Sequence, residues 1–333
     1  MIFSNFVMQT LQNHTVGQQY AVDAVTRAIT LAYAGLRRRE NVLGVLLFIG
    51  PSGSGKTHMT RTLARLLTGD EHTMLYVNCL QLDSQTDPLA CVEGQLQATN
   101  NRIPAGASSV PVFNLIVFEE IDKASEAFRD ELALAIDCGS ISMPGGIFSL
   151  SNCFVILITN LSRKKADQLA GRTIGFFLDG ESPGEMSRRQ AVALEEVDNR
   201  LGSRLVSRID EIVLFEPLNQ QNIITLLERQ LLEIEKYLAG WCIGFIMEQE
   251  AKTFLLREGV DDLNHGARQI TRVVRNYLEF PIGDLMLSQR LVPGTTVTVK
   301  HEQNKSYLNF EIMVPGIEPK EMKATATFGL SMD

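Results

Sequence analysis

Val45-Leu46-Leu47-Phe48-Ile49, followed by Gly50-Pro51-Ser52-Gly53-Ser54-Gly55-Lys56-Thr57, is the stretch on which the reading of the fold turns. An unbroken apolar run of this length suits a strand buried on both faces, as in a parallel sheet. The residues after it fit glycine, any four, glycine, lysine, then serine or threonine. They also stand where that pattern has a mechanism, after a strand and before a helix expected from Lys56 to about Leu67. The glycines let backbone N–H groups curl around phosphate oxygens, and the helix N-terminus adds a favourable field for an anion. Lys56 is expected to reach the outer phosphates of ATP and Thr57 to ligate Mg2+, with His58 beside them in the nucleotide-binding set.

The same alternation extends along the chain. Apolar runs at Met74 to Val77, Leu115 to Phe118, Phe154 to Ile158 and Ile212 to Phe215 predict further strands. Helical spacing is seen over residues 16 to 37, in Ala21, Ala24, Val25, Ala28, Ile29 and Ala32, and again from Ser125 to Ile136. Strands separated by helices imply an α/β fold, a parallel sheet sandwiched by helices. Pro217 marks a change of pattern. Helices are expected around 219–239 and 247–258, then a longer one from about 266 to 288 with an apolar stripe through Ile270, Val273, Val274, Tyr277, Leu278, Ile282 and Leu285. Val297 to Val299 and Tyr307 to Ile312 alternate like a hairpin. The expected organisation is a large nucleotide-binding domain over 1–216, a small helical lid domain with a terminal hairpin over 217–314, and a flexible tail over 315–333.

A second acidic element follows the third strand, Leu115-Ile116-Val117-Phe118-Glu119-Glu120. Two carboxylates at the end of an apolar strand, downstream of a phosphate loop, suit a Walker B element. Glu119 is expected to hold Mg2+, and Glu120 to orient and polarise the attacking water. The first position is usually Asp; the extra methylene of Glu119 bears on metal geometry, because Mg2+ tolerates little distortion.

The 333 residues carry a formal net charge of −8, which argues against a chain whose main partner is nucleic acid. The five cysteines lack CxxC spacing and read as buried thiols of a reducing compartment. The N-terminus has no Lys or Arg before Arg27 and does not read as a signal peptide. No stretch reaches the roughly 18 to 20 apolar residues of a membrane span, so a soluble, cytoplasmic protein is expected.

Several segments together resemble the second ATPase module of the Clp unfoldases and disaggregases, members of the AAA+ class, here as a single module. Val16-Gly17-Gln18 is similar to the turn that lies against adenine in that family. Glu119-Glu120-Ile121-Asp122-Lys123-Ala124 looks like its Walker B run. Ser207-Arg208-Ile209-Asp210-Glu211, with Phe215 and Pro217-Leu218, resembles its arginine-finger segment. Gly266-Ala267-Arg268 opening a helix, with Pro281-Ile282 near its end, resembles its second sensor. The likeness runs over about residues 11 to 313. It implies Asn160, at the end of the fourth strand, as the first sensor, holding the attacking water or the γ-phosphate. It implies Arg208, with Arg204 able to share the role, as a finger into the neighbouring subunit's nucleotide, and Arg268 as a contact to the phosphates in cis. A guanidinium at the transferring phosphoryl group is worth orders of magnitude in rate. The active unit implied is a hexameric ring.

Two features bear on partners. Residues 77 to 112 contain no Phe, Tyr or Trp, and Glu93-Gly94-Gln95-Leu96-Gln97-Ala98, near the expected pore loop, is mostly polar. Gln and Ala do not replace the apolar grip of aromatic rings, so threading by that mechanism is not expected. Thr173-Ile174-Gly175-Phe176-Phe177-Leu178 resembles the loop with which Clp unfoldases dock on their peptidase, making Ile174, Gly175 and Phe176 a candidate protein-docking tip. The leading expectation is an ATP-hydrolysing ring protein that remodels or regulates a protein partner. An ATP-controlled assembly scaffold and a nucleic-acid-associated loader are the alternatives.

Overall fold

A computed structural model of the chain describes residues 2–36, 41–71, 74–81, 114–143, 146–160, 197–260, 266–302 and 305–314. The aromatic-free segment from 82 to 112, the candidate docking tip at 174–176, Cys91 and the tail from 315 lie outside the described residues. The chain divides into two compact units, Met1–Pro217 and Leu218–Asp333.

The first unit is built on a five-stranded parallel sheet. Its strands are β1 (Gly44–Gly50), β2 (Leu75–Asn78), β3 (Asn114–Glu119), β6 (Cys153–Asn160) and β7 (Glu211–Leu214), in spatial order β2-β3-β6-β1-β7. A two-stranded antiparallel ribbon, β4 (Ser140–Met143) with β5 (Gly146–Ser149), lies between β3 and β6 in sequence. The sheet is apolar on both faces, as the unbroken runs predict. One face, with Val45, Leu47, Ile49, Ile116, Phe118, Val155 and Leu157, packs against Phe128, Leu132 and Ile136 of helix α4 (Glu126–Cys138) and against Val197, Leu201 and Leu205. The other, with Leu46, Phe48, Leu115, Val117, Ile156 and Ile158, packs against α1 (Ile2–His14), α2 (Gln19–Tyr33) and α3 (Lys56–Thr68). Ser125 caps α4 by accepting from the N–H of Phe128, and Gly139 closes it in the left-handed region.

Two findings depart from the sequence reading here. Helix α1 buries Val7 and Leu11, one helical turn apart, in a segment before the first helix expected from the sequence, over residues 16 to 37. The cysteines are not uniformly buried: Cys79 and Cys153 are, whereas Cys138 and Cys242 are exposed, at the ends of helices where no core face continues.

The second unit begins with α6 (Gln220–Gly240), opened by a reciprocal capping box between Asn219 and Asn222. Helix α7 (Gln249–Val260) follows, then α8 (Ala267–Val274), a π-turn at Arg275–Glu279 and α9 (Phe280–Leu287). The expected long helix is therefore continuous but widened at its middle. Pro281 explains the widening, because a proline ring collides with the carbonyl four residues back in a regular α-helix. All seven stripe residues join one core, Tyr277 at its margin. The hairpin is present as β9 (Thr296–Lys300) and β10 (Asn309–Met313). A short strand, β8 (Gly244–Met247), pairs parallel to β9 and makes a three-stranded sheet.

Candidate active site

The sheet order places the C-terminal ends of β1, β3 and β6 side by side, with Gly50 level with Asn160 and Glu119 level with Ile158. In open parallel sheets this edge is where ligands bind. Gly50 is required at the end of β1: a Cβ there would lie 2.5 Å from the carbonyl oxygen of Phe215. Gly55, with φ near +102°, turns the chain into α3 through a conformation that side chains rarely adopt. Pro51 and Ser54 are buried, while Ser52 and Gly53 are half-buried, Gly53 also with a positive φ.

Lys56 is buried, and its ammonium donates to the carbonyls of Gly50 at 2.8 Å and Pro51 at 2.7 Å. Charge-assisted bonds of this kind compensate for holding a cation out of water, and they fix positive charge at the base of the loop. The Thr57 hydroxyl donates to Glu119 Oε1 at 2.8 Å. The longer side chain of Glu119 therefore still brings its carboxylate to the hydroxyl. A hydroxyl beside a carboxylate is a hard oxygen pair of the kind Mg2+ accepts, and these residues fit that ion.

Glu120 follows β3 in the left-handed region, φ 57° and ψ 42°, an uncommon conformation for a side-chain-bearing residue and one that recurs at functional sites. A turn from its carbonyl to the N–H of Lys123 holds it there. The Asn160 side-chain amide donates to Glu120 Oε1. Loss of hydration raises the Glu120 carboxyl above its usual range; the charges of Asp122 and Glu119 add to this, while Lys123 and the Asn160 amide oppose it. A carboxylate raised in this way accepts a proton from water more readily. The same acidic surroundings, after burial, push the Cys79 thiol up to about 12 and leave it neutral.

Val16 and Gly17 lie in the turn between α1 and α2, tied to this edge at two points. His58 Nε2 donates to the carbonyl of His14 at 2.9 Å. The buried Gln18 amide donates to the carbonyl of Glu216 and accepts from its N–H, both at 2.8 Å. Gln18 thus acts as a backbone-like splint. That role is not readable from the motif, although a polar residue inside an apolar helix start is a signal for it. Asp210 does similar work, accepting from the N–H of Val45 at 2.9 Å and donating its own N–H to the Val45 carbonyl at 2.8 Å. It anchors the segment that carries Arg208.

Arg208 lies apart from the loop. Its Nε and Nη2 donate to Asp137 Oδ2 of α4, at 3.0 and 2.5 Å, and its Nη1 to Ser207 Oγ and the carbonyl of Arg204. Arg204 itself pairs with Asp130 at 3.6 Å. Arg268 is an exposed residue in the first turn of α8, in the second unit. One residue that the sequence reading passed over, Arg200, donates to the carbonyl of Asn160 at 3.2 Å.

Residues 41–212 match the model of an AAA domain (Cdc48 subfamily), and residues 218–299 match that of the C-terminal, D2-small domain of ClpB protein. The chain belongs to the AAA family. It is 28% identical over 294 residues to the chaperone protein ClpD of Arabidopsis thaliana, which is chloroplastic, covering 87% of this chain and 31% of that protein. It is 26% identical over 327 residues to the chaperone protein ClpB of Aquifex aeolicus, covering 94% of this chain and 31% of that one. The S. cerevisiae Hsp104–ADP complex superposes with a TM-score of 0.72 at 25% identity, over 92% of this chain and 52% of the other. The chain therefore spans about a third of the length of these Clp relatives. Within the family it is of the Clp type and like the second ATPase module, as the match to the small domain shows. Membership implies nucleotide binding. Among the described residues, no helix is long and apolar enough to cross a membrane.

Proposed function

We propose that this chain is an ATP-hydrolysing ring subunit that acts on a protein partner. The observation that carries the reading is the pairing of Glu120 with the Asn160 amide, beside the Thr57–Glu119 bond. It puts a raised carboxylate, a sensor amide and a metal-suited oxygen pair at one edge of the sheet. In this proposal the loop from Gly50 to Thr57 binds the phosphates, and Thr57 and Glu119 hold Mg2+, which draws charge from the phosphate oxygens. Glu120 takes the proton of the attacking water and Asn160 keeps its carboxylate aimed. The turn at Val16 faces the base; a phosphate-binding role for Arg268 rests on the sequence resemblance alone.

Arg208 serves a neighbouring subunit. Its attachment to the outer flank of α4, away from its own phosphate loop, supports that role, and the ring proposed is a hexamer. The working location is the cytoplasm. The partner binds through Ile174, Gly175 and Phe176, a part of the proposal that rests on the sequence alone.

Replacing Glu120 by Gln keeps the shape and removes the charge. The expected outcome is nucleotide affinity within about twofold of wild type, and turnover lower by on the order of 10²- to 10⁴-fold, the usual contribution of a positioned general base. Phosphate release and titration with a fluorescent ATP analogue measure the two. Turnover at the wild-type rate would remove Glu120 from the chemistry.

A further inference from the structure

The end of β6 carries two residues with divided duties. Asn160 aims its side chain at Glu120, while its backbone carbonyl accepts from Arg200 Nη1 at 3.2 Å. Thr159, next to it, donates its hydroxyl to Asp122 Oδ1 at 2.8 Å. The other oxygen of Asp122 faces Lys123 Nζ at 3.1 Å and Arg200 Nη1 at 3.9 Å. A closed ring results: Arg200 to the Asn160 main chain, through Thr159 to Asp122, and back to Arg200. The Asp122 side chain is only 5% exposed, so its charge depends on these partners; Lys123 at 53% is largely in water, and Arg200 at 33% is the more enclosed cation.

The backbone of Arg200 is itself fixed. It lies in a helical stretch from 197 to 201 whose Val197 and Leu201 are buried in the core, four residues apart on one face. That stretch runs through Gly202, bonded back to Asp198, into α5 (Ser203–Val206) and on to Arg208. One guanidinium thus joins the sensor end of β6, the acidic run after β3, and the segment that bears the proposed finger.

We propose that Arg200 is a positioning residue for hydrolysis. It holds the Asn160 main chain and Asp122 in the register that aims the Asn160 amide at Glu120, and it couples that aim to the segment carrying Arg208. The inference rests on the role proposed above for Glu120 and Asn160. Arg200 does not touch the reacting atoms; it acts through Asn160. A misplacement of about 1 Å at a reacting group costs up to about a hundredfold in rate, so a lost tether is visible in turnover before it is visible in binding.

The test is a set of variants of the full chain: Arg200→Ala, Arg200→Lys, Asp122→Asn, the Arg200→Ala/Asp122→Asn double and Glu120→Gln. Each is assayed for kcat and KM, affinity for a fluorescent ATP analogue, and thermal melting. Arg200→Ala is expected to lower kcat by roughly ten- to a hundredfold with KM and affinity within about twofold. Arg200→Lys restores most of the loss, because it returns the charge opposite Asp122. The double variant falls no further than Arg200→Ala alone, since both substitutions open the same ring.

Unchanged kcat in Arg200→Ala overturns the proposal. So does a loss shared equally by kcat, affinity and melting temperature that Lys does not restore, which marks a packing role. Glu120→Gln separates the two levels. If it abolishes turnover while Arg200→Ala does not, only the tether is wrong; if it leaves turnover intact, the reading of the site itself fails.

Discussion

The two halves of the proposed catalytic apparatus are held in different ways. On the phosphate side, Lys56 is buried on loop carbonyls, Thr57 is bonded to Glu119, and Asn160 to Glu120, each on the edge of a sheet covered on both faces. On the finger side, the Arg208 side chain is 20% exposed and its partner Asp137 is 42% exposed, on the flank of a helix. The first set is preorganised by the core and has little freedom to move. The second is held by an ion pair close to water, a contact weak enough to be exchanged for a neighbour's phosphate. A site assembled within one chain favours rigidity; a group that serves another chain needs a holding position it can leave.

The strongest way to break this comparison is to empty the rigid half. Lys56→Ala removes the buried ammonium and is expected to abolish nucleotide binding and, with it, turnover; a titration with a fluorescent ATP analogue reads this directly. Wild-type affinity in that variant would mean that the loop does not hold the phosphates.

The next effect concerns the finger half. Arg208→Ala is expected to bind ATP as wild type does and to hydrolyse it slower by on the order of a hundredfold or more, the scale of a lost transition-state donor. Mixing Arg208→Ala with Lys56→Ala sharpens the point. Each chain is defective in a different half, so a mixed ring contains some interfaces with both halves intact, and part of the activity returns. A mixture no more active than its components would place Arg208 in cis.

The sequence made the chemical groups of both halves legible and left the contacts that hold them unread. The strands carrying the site are unbroken apolar runs; β3 and β6 end in Glu119 and Asn160, polar residues where burial gives way, and β1 ends in Gly50, the first residue of the phosphate-loop pattern. Lys56 and Thr57 belong to a local pattern whose chemistry needs only its own eight residues. The partners that hold these groups are another matter. Arg200 reaches Asn160 across 40 positions and Arg208 reaches Asp137 across 71, separations fixed by strand order and helix packing rather than by spacing. Shape had similar blind spots. β8 is apolar but only four residues long and runs up to the helix expected from 247, and the β4–β5 ribbon interleaves serine with its apolar residues, so neither stands out as a strand. Val7 and Leu11 are the residues that α1 buries in the core, too sparse a stripe to stand out as a helix in the sequence.

The smallest expected effect tests the holding position itself. Asp137→Asn keeps the size of the side chain and removes the charge facing Arg208, while Ser207 Oγ and the Arg204 carbonyl still accept from the guanidinium. An ion pair this exposed contributes up to about 1 kcal/mol, which corresponds to at most about a fivefold change in rate. If the pair restrains the finger, its removal makes Arg208 easier to transfer, and turnover at low ionic strength rises by up to that factor. Salt screens the wild-type pair, so the difference between variant and wild type shrinks as ionic strength increases. Steady-state hydrolysis across a salt series measures both trends. If instead Asp137→Asn loses as much activity as Arg208→Ala at every salt concentration, the pair orients the finger for its target. The flank of α4 is then part of the assembled site, and the contrast between a rigid half and a releasable half falls.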